Sequence, residues 1–256
     1  MDGAVILEGS VNDRARAWRN ATHATVCDVI EPWAAGTVVR ASRYPAYYDF
    51  NVLRVERKTD LDMAALGAQA DAALAGLGHR RVDFDLAGEA ESRRAAFEQA
   101  GWKTTRLLWM RHEDPPPRAA GGPVVVEVDY GATADLRLRW HLEDFPEYEY
   151  EDYLAGAREI ALVKGARTLG VLEQEELLAF AQVQWGGDAA EITSVYVHPE
   201  HRGRGLGTAV TVAAIEAAQG TRDLWIVADE EDRAKDLYAR LGFRVAWRTV
   251  EFLCLR

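Results

Sequence analysis

Residues 191–218, EITSVYVHPEHRGRGLGTAVTVAAIEAA, constrain the fold more than any other stretch of the chain. They open as a strand, with Ile192, Val195 and Val197 set among Thr193, Ser194 and Tyr196, a composition rich in strand formers. Pro199 ends the strand, because it offers no N–H to a ladder. Arg202-Gly203-Arg204-Gly205-Leu206-Gly207 follows, then a helical pattern through Val210, Ala213, Ala214 and Ala217. A strand, a glycine-rich basic turn and a helix together make an anion site. Glycines reach φ > 0 and let amides approach a ligand with no Cβ in the way. The helix start adds unpaired N–H groups and partial positive charge. Arg202 and Arg204 supply full charges whose guanidinium forks match phosphate oxygens. The expected ligand carries a pyrophosphate.

No Gly-Lys-Ser/Thr follows, so this is not a Walker loop. Val210 stands after the three glycines, so a G-x-G-x-x-G dinucleotide reading fails as well. The stretch resembles the acetyl-CoA loop of the GNAT N-acetyltransferase superfamily, Arg/Gln-x-x-Gly-x-Gly/Ala, here Arg202, Gly205 and Gly207. The resemblance implies an α/β (α+β) fold with a mixed, mostly antiparallel central sheet flanked by helices. It also implies acetyl-CoA as co-substrate. Val195, Tyr196 and Val197 would pair with the pantetheine arm as an added strand does. The residues from Arg202 through Gly203, Arg204, Gly205, Leu206 and Gly207 to Thr208 would hold the phosphates.

The net charge of −11 argues against nucleic acid as the main partner and fits a soluble protein or a cationic substrate. Cys27 and Cys254 are far apart and show no metal spacing, which suggests thiols in a reducing compartment. No apolar run approaches the roughly 18 residues of a membrane span. The first residues, MDGAVILEGSVNDR, lack the basic start and long apolar region of a secretory signal. A cytoplasmic protein, monomer or homodimer, with neither membrane nor metal partner, is expected.

Along the chain, 2–8 reads as a strand, and Ser10 to Asp13 as a cap for a helix running towards 29. Strands are expected at 37–41, 47–56, 81–86 and 102–111, and helices at 60–75 and 89–100. HEDPPPRAAGGP, residues 112–123, can neither continue a helix nor pair in a sheet. It divides the chain into 1–113, a linker at 114–123, and 124–256. In the second half, strands are expected at 124–129, 168–172, 177–184, 224–227 and 243–255, and helices at 133–142 and 232–241.

The halves repeat one another. AAFEQAGWKTTRLLWMR lies opposite DLYARLGFRVAWRTVEF, with Phe97 matching Tyr238 and Gly101 matching Gly242 (238 − 97 and 242 − 101 are both 141). Counting back 141 from Arg202–Gly207 lands on residues 61–66, LDMAAL, which contain neither glycine nor arginine. The N-terminal half keeps a scaffold without the amide cradle, and resembles the degenerate half of tandem members of the superfamily. Its expected part is to stabilise the catalytic half or wall the substrate cleft.

The resemblance places a general-base glutamate at Glu191, where a carboxylate can take the proton from R-NH₃⁺; the alternative is a strand-edge residue in solvent. It gives Tyr238 the role of protonating the departing CoA thiolate, against a packing role like that of Phe97. An N–H for the oxyanion would come from Val195 or Tyr196. The family often has an asparagine where Glu231 stands, and a carboxylate cannot donate as an amide does. The region of Phe145, Glu147 and Tyr148 would shape the acceptor pocket through charge and cation–π contact; a solvated acidic helix start is the competing reading. His198 and His201 read as surface residues. The implied activity is acetyl transfer to a primary amine of a small molecule by direct attack. Other readings are a mycothiol-synthase-like enzyme, a protein N-acetyltransferase, and a non-catalytic acyl-CoA sensor.

Overall fold

A computed structural model of the chain describes residues 9–114, 122–146 and 150–256. The expected strand at 2–8 and most of the expected linker lie outside these residues. In chain order the elements are α1 (Val11–Ala24), β1 (Val29–Trp33), β2 (Gly36–Arg40), β3 (Val52–Val55), α2 (Met63–Ala73), β4 (His79–Phe84), α3 (Ala87–Glu91), α4 (Arg94–Gln99) and β5 (Lys103–His112). There follow β6 (Val126–Val128), α5 (Ala134–Asp144), α6 (Glu151–Val163), β7 (Arg167–Glu173), β8 (Glu176–Gly186), β9 (Ala189–Val197), α7 (Leu206–Ala217), β10 (Asp223–Asp229), α8 (Ala234–Arg240) and β11 (Phe243–Leu255). The run α1-β1-β2-β3-α2-β4-helix-β5 recurs as α6-β7-β8-β9-α7-β10-α8-β11, which is the repeat read from the sequence.

Local chemistry explains both agreement and difference. Ser10 and Asp13 form a capping box at the start of α1. Residues 47–56 are not one strand; a 3₁₀ turn, Tyr48–Phe50, precedes β3. Buried Asn51 causes this: its Oδ1 accepts from the Ala41 amide, and its Nδ2 donates to the carbonyls of Tyr44 and Tyr47. The expected helix over 89–100 is split into α3 and α4 at Arg93, whose guanidinium turns inward to the carbonyls of Leu61 and Thr59. Strand β1 and helix α6 are not among the expected elements, although Tyr153, Gly156, Ala157, Ile160 and Ala161 of α6 recur at helical spacing and form its inward side. None of the helices among the described residues is long and apolar enough to cross a membrane.

By contacts the described chain forms two units. One contains Met110–Val227 and Ala234–Arg244; the other contains Gly9–Trp109, Ala228–Arg233 and Val245–Arg256. The first has strand order β6-β7-β8-β9-β10 and the second β1-β2-β3-β4-β11. Neighbours are antiparallel except β9 with β10, and β3 with β4. Each unit thus has a mixed, mostly antiparallel sheet with helices on it, as the resemblance implied. The units do not coincide with a cut at 114–123, since β11 from Val245 onward groups with the N-terminal residues. Val250 and Phe252 of that strand lie in one core with Leu53, Leu66, Phe84 and Phe97. The core of the other unit includes Leu136, Leu177, Phe180 and Tyr196, with Trp140 against them.

In the first unit Gly242 illustrates a sequence constraint. Its φ is +96°, and a Cβ there would come 2.1 Å from the carbonyl oxygen of Asp114. Only glycine fits the turn that ends α8.

Candidate acyl-CoA site

β9 and β10 pair in parallel from Ala189↔Asp223 to Ile192↔Ile226, and there the ladder stops. β9 runs on to Val197, still paired with β8 through Ala179↔Val197. Residues 189–192 are buried, whereas Thr193 is exposed and Ser194, Val195 and Val197 are half-buried. The edge of β9 therefore opens where the two strands part. An extended ligand arm can lie along such an edge and make strand-like bonds.

The same strand carries a bulge. The β8 partner of Ser194 is Gln182, but Val183 pairs with Ile192, so Thr193 is an extra residue. Cross-strand partners share a face, and Phe180, Gln182 and Gln184 alternate on one face of β8. Tyr196, Ser194 and Glu191 are their partners, so the bulge brings Glu191 onto the face of Tyr196. Strict alternation would have put them on opposite faces. Glu191 is buried, and Gln184 Nε2 donates to its Oε2 at 3.0 Å. Gln182 and Thr168 are buried beside it and bonded to each other at 3.1 Å. Glu191 is thus not a solvent-exposed strand end.

After β9, Pro199–His201 forms a 3₁₀ turn and the chain reaches Gly203 at φ +82° and Gly205 at φ +80°. Gly205 is the N-cap of α7 and brings no side chain to close the helix start. The first intrahelical bond runs from the Ala209 amide to the Gly205 carbonyl, so the amides of Leu206, Gly207 and Thr208 precede the ladder. A Cβ at Gly203 or Gly205 would meet nothing within 4 Å, so the space above these amides is open. Gly207 sits against Val197 and Leu237. These amides, the helix dipole and the open glycine turn fit a pyrophosphate.

The two arginines are engaged with carboxylates. Arg202 Nη2 donates to Glu143 Oε2 at 2.8 Å, and its Nε to the Val197 carbonyl at 3.3 Å. Arg204 Nη2 donates to Glu173, and its Nη1 lies 2.8 Å from His201 Nδ1. These pairs are half exposed. Tyr196 presents more than backbone: its hydroxyl donates to Glu143 Oε1 at 2.8 Å. Burial, and next the bond to Glu143, push its phenol above the ordinary range.

Tyr238 is buried on α8, its ring edge-on to Phe243 at 6.2 Å. Phe145 packs at 5.7 Å from the buried His141, which also faces Tyr150 and Tyr153. Burial lowers the imidazole pKa of His141, and its Nε2 has no hydrogen-bond partner among the described residues. Glu147 and Tyr148 lie outside the described residues. His198, expected at the surface, is buried, with Nδ1 accepting from the Glu200 amide. Among the described residues no group of three His, Cys, Asp or Glu side chains is placed to hold a metal ion. In the other unit, Glu231 accepts from Arg106 Nη1 at 2.6 Å.

Residues 132–243 match the acetyltransferase (GNAT) family. Over those residues the C-terminal half is similar to GNAT acetyltransferases. Over 60 residues the chain is 47% identical to an uncharacterised N-acetyltransferase of Methanocaldococcus jannaschii, a match covering 22% of this chain and 26% of the relative. The chain thus spans about a quarter of the length of that curated relative. A conserved protein of Staphylococcus epidermidis, described as functionally unknown, shares the fold with a TM-score of 0.66 at 14% identity, over 90% of this chain and 94% of that one. A tandem GNAT protein from the clavulanic acid biosynthesis pathway has a TM-score of 0.51 at 17% identity, over 75% of this chain and 69% of that one.

The N-terminal copy closes the corresponding helix start itself. Asp62 is the N-cap of α2, and its carboxylate accepts from the Ala65 amide at 2.8 Å. A built-in anion stands there, where α7 leaves its amides open. Gln184, Gln182 and Glu143 were not apparent as site residues in the sequence. Gln184 becomes visible only once the β8–β9 register is known.

Proposed function

We propose that the C-terminal half transfers an acetyl group from acetyl-CoA to a primary amine of a small molecule, by direct attack. The observation that carries this reading is the open start of α7 beside the parted edge of β9. One accommodates phosphates, the other an extended arm leading towards Glu191. Acetyl-CoA, when bound, supplies an activated thioester acetyl group. In this reading Glu191, held by Gln184, takes the ammonium proton directly or through one water. Tyr238 protonates the departing thiolate. Backbone N–H groups of β9 near Val195 and Tyr196 face the developing oxyanion.

The test is thermal unfolding with and without acetyl-CoA, followed by thiol release against a panel of amines. A ligand that binds only the native state raises the midpoint, by about 2.7 kcal/mol of stability at a hundredfold excess over Kd. A rise, with CoA released in the presence of a subset of amines, is the expected result. A rise without CoA release from any amine would make the domain an acyl-CoA sensor. No rise would remove acetyl-CoA from the reading altogether.

A further inference from the structure

Glu143, near the end of α5, has both carboxylate oxygens engaged: Oε1 by the Tyr196 hydroxyl and Oε2 by Arg202 Nη2, each at 2.8 Å. Tyr196 is itself fixed by Trp140, stacked on its ring at 5.4 Å and 14°. The Arg202 guanidinium lies 5.7 Å from the centre of the same ring. Arg202 Nε has a second anchor in the Val197 carbonyl. An arginine on a glycine-rich loop ordinarily samples many rotamers, about 2 kcal/mol of side-chain entropy. Two anchors and an aromatic face restrict it before any ligand arrives. Burial pulls the Glu143 carboxyl upward, but its bonds from Arg202 and Tyr196 prevail and hold it below the usual carboxylate range. It therefore stands as an anion at neutral pH.

Resting on the acetyl-CoA reading of the loop, we propose that Glu143 is a positioning residue that pre-sets Arg202 for a phosphate oxygen of CoA. Arg202 touches the ligand; Glu143 acts only through Arg202. Tyr196 aligns the carboxylate and links α5 to the phosphate loop. This differs in sign from competition, in which Glu143 would withhold Arg202 from the phosphate and its removal would strengthen binding.

The experiment is calorimetric titration of CoA into the full chain, the Glu143→Gln and Arg202→Gln variants, and the double variant. Ligand-free unfolding midpoints serve as the control for folding. Loss of an ion pair of this exposure corresponds to at most about fivefold in Kd. Glu143→Gln is expected to weaken CoA binding by up to that factor, Arg202→Gln by more, and the double variant no further than Arg202→Gln alone. Tyr196→Phe should weaken binding in the direction of Glu143→Gln. Unchanged or tighter binding by Glu143→Gln would overturn the proposal. So would an equal loss when Glu143→Gln is added to Arg202→Gln, because Glu143 would then be acting independently of the arginine. Absence of CoA binding by the native chain would overturn the cofactor reading and this proposal with it.

Discussion

Tyr238 and Phe97, matched across the repeat, differ by one hydroxyl and sit in different surroundings. Phe97 is wholly buried and stacked flat on Phe252 at 4.1 Å and 10°, a packing residue of its unit's core. Tyr238 keeps a small exposed fraction and meets Phe243 only edge-on. Tyr238→Phe is expected to leave the fold and the acetyl-CoA Kd unchanged and to lower kcat by roughly a hundredfold or more. Steady-state rates paired with calorimetry check this, and an unaltered kcat would return Tyr238 to the core. The legibility of such residues was uneven. The motif around Glu191 singles it out in the sequence, but its face and its Gln184 partner depend on one extra residue in β9. Alternation in the sequence cannot show that Thr193 is skipped, since the bulge is a property of the pairing.

At the level of elements, two helices in equivalent positions divide the copies. Helix α7 starts at a glycine in the left-handed region, and α2 starts under an aspartate cap. The absence of glycine and arginine at 61–66 was visible in the sequence, and so was an aspartate placed before a helix. That the carboxylate bonds the Ala65 amide needed the structure. Opposite outcomes follow for two substitutions. Asp62→Ala should cost about 1 kcal/mol of stability and leave CoA affinity as it is. Gly205→Glu places a side chain at φ +80° with open space around it, so about 1–2 kcal/mol of backbone strain is expected and folding persists. Its carboxylate next to the open amides should abolish CoA binding. Urea unfolding and calorimetry on both variants separate the two effects. Retained CoA affinity in Gly205→Glu would remove the loop from the phosphate site.

For the whole molecule, the repeat suggests copies that end where each last strand ends, at 111 and at 255. Periodicity identifies a strand but not the sheet it joins. β11 pairs with β4 from Val250↔Phe84 to Leu255↔His79 and lies in the N-terminal unit. Phe252 stacks on Phe97 and meets Phe84 at 5.8 Å and 89°. Trp247 Nε1 donates to the Asp85 carbonyl at 3.0 Å, while the guanidinium groups of Arg16 and Arg19 lie over its ring. Removing one such phenylalanine side chain alone costs about 3–5 kcal/mol, against a total stability of roughly 5–15 kcal/mol for a domain. A fragment ending at residue 114 loses that ring, Val250, Trp247 and the ladder to β4 together. It is therefore expected to show no cooperative thermal transition by circular dichroism, while the full chain does. Adding a synthetic peptide of residues 243–256 should restore part of the transition if the strand alone is what the fragment lacks. A fragment that melts cooperatively without the peptide would show that the N-terminal copy holds its own core, and that β11 only covers it.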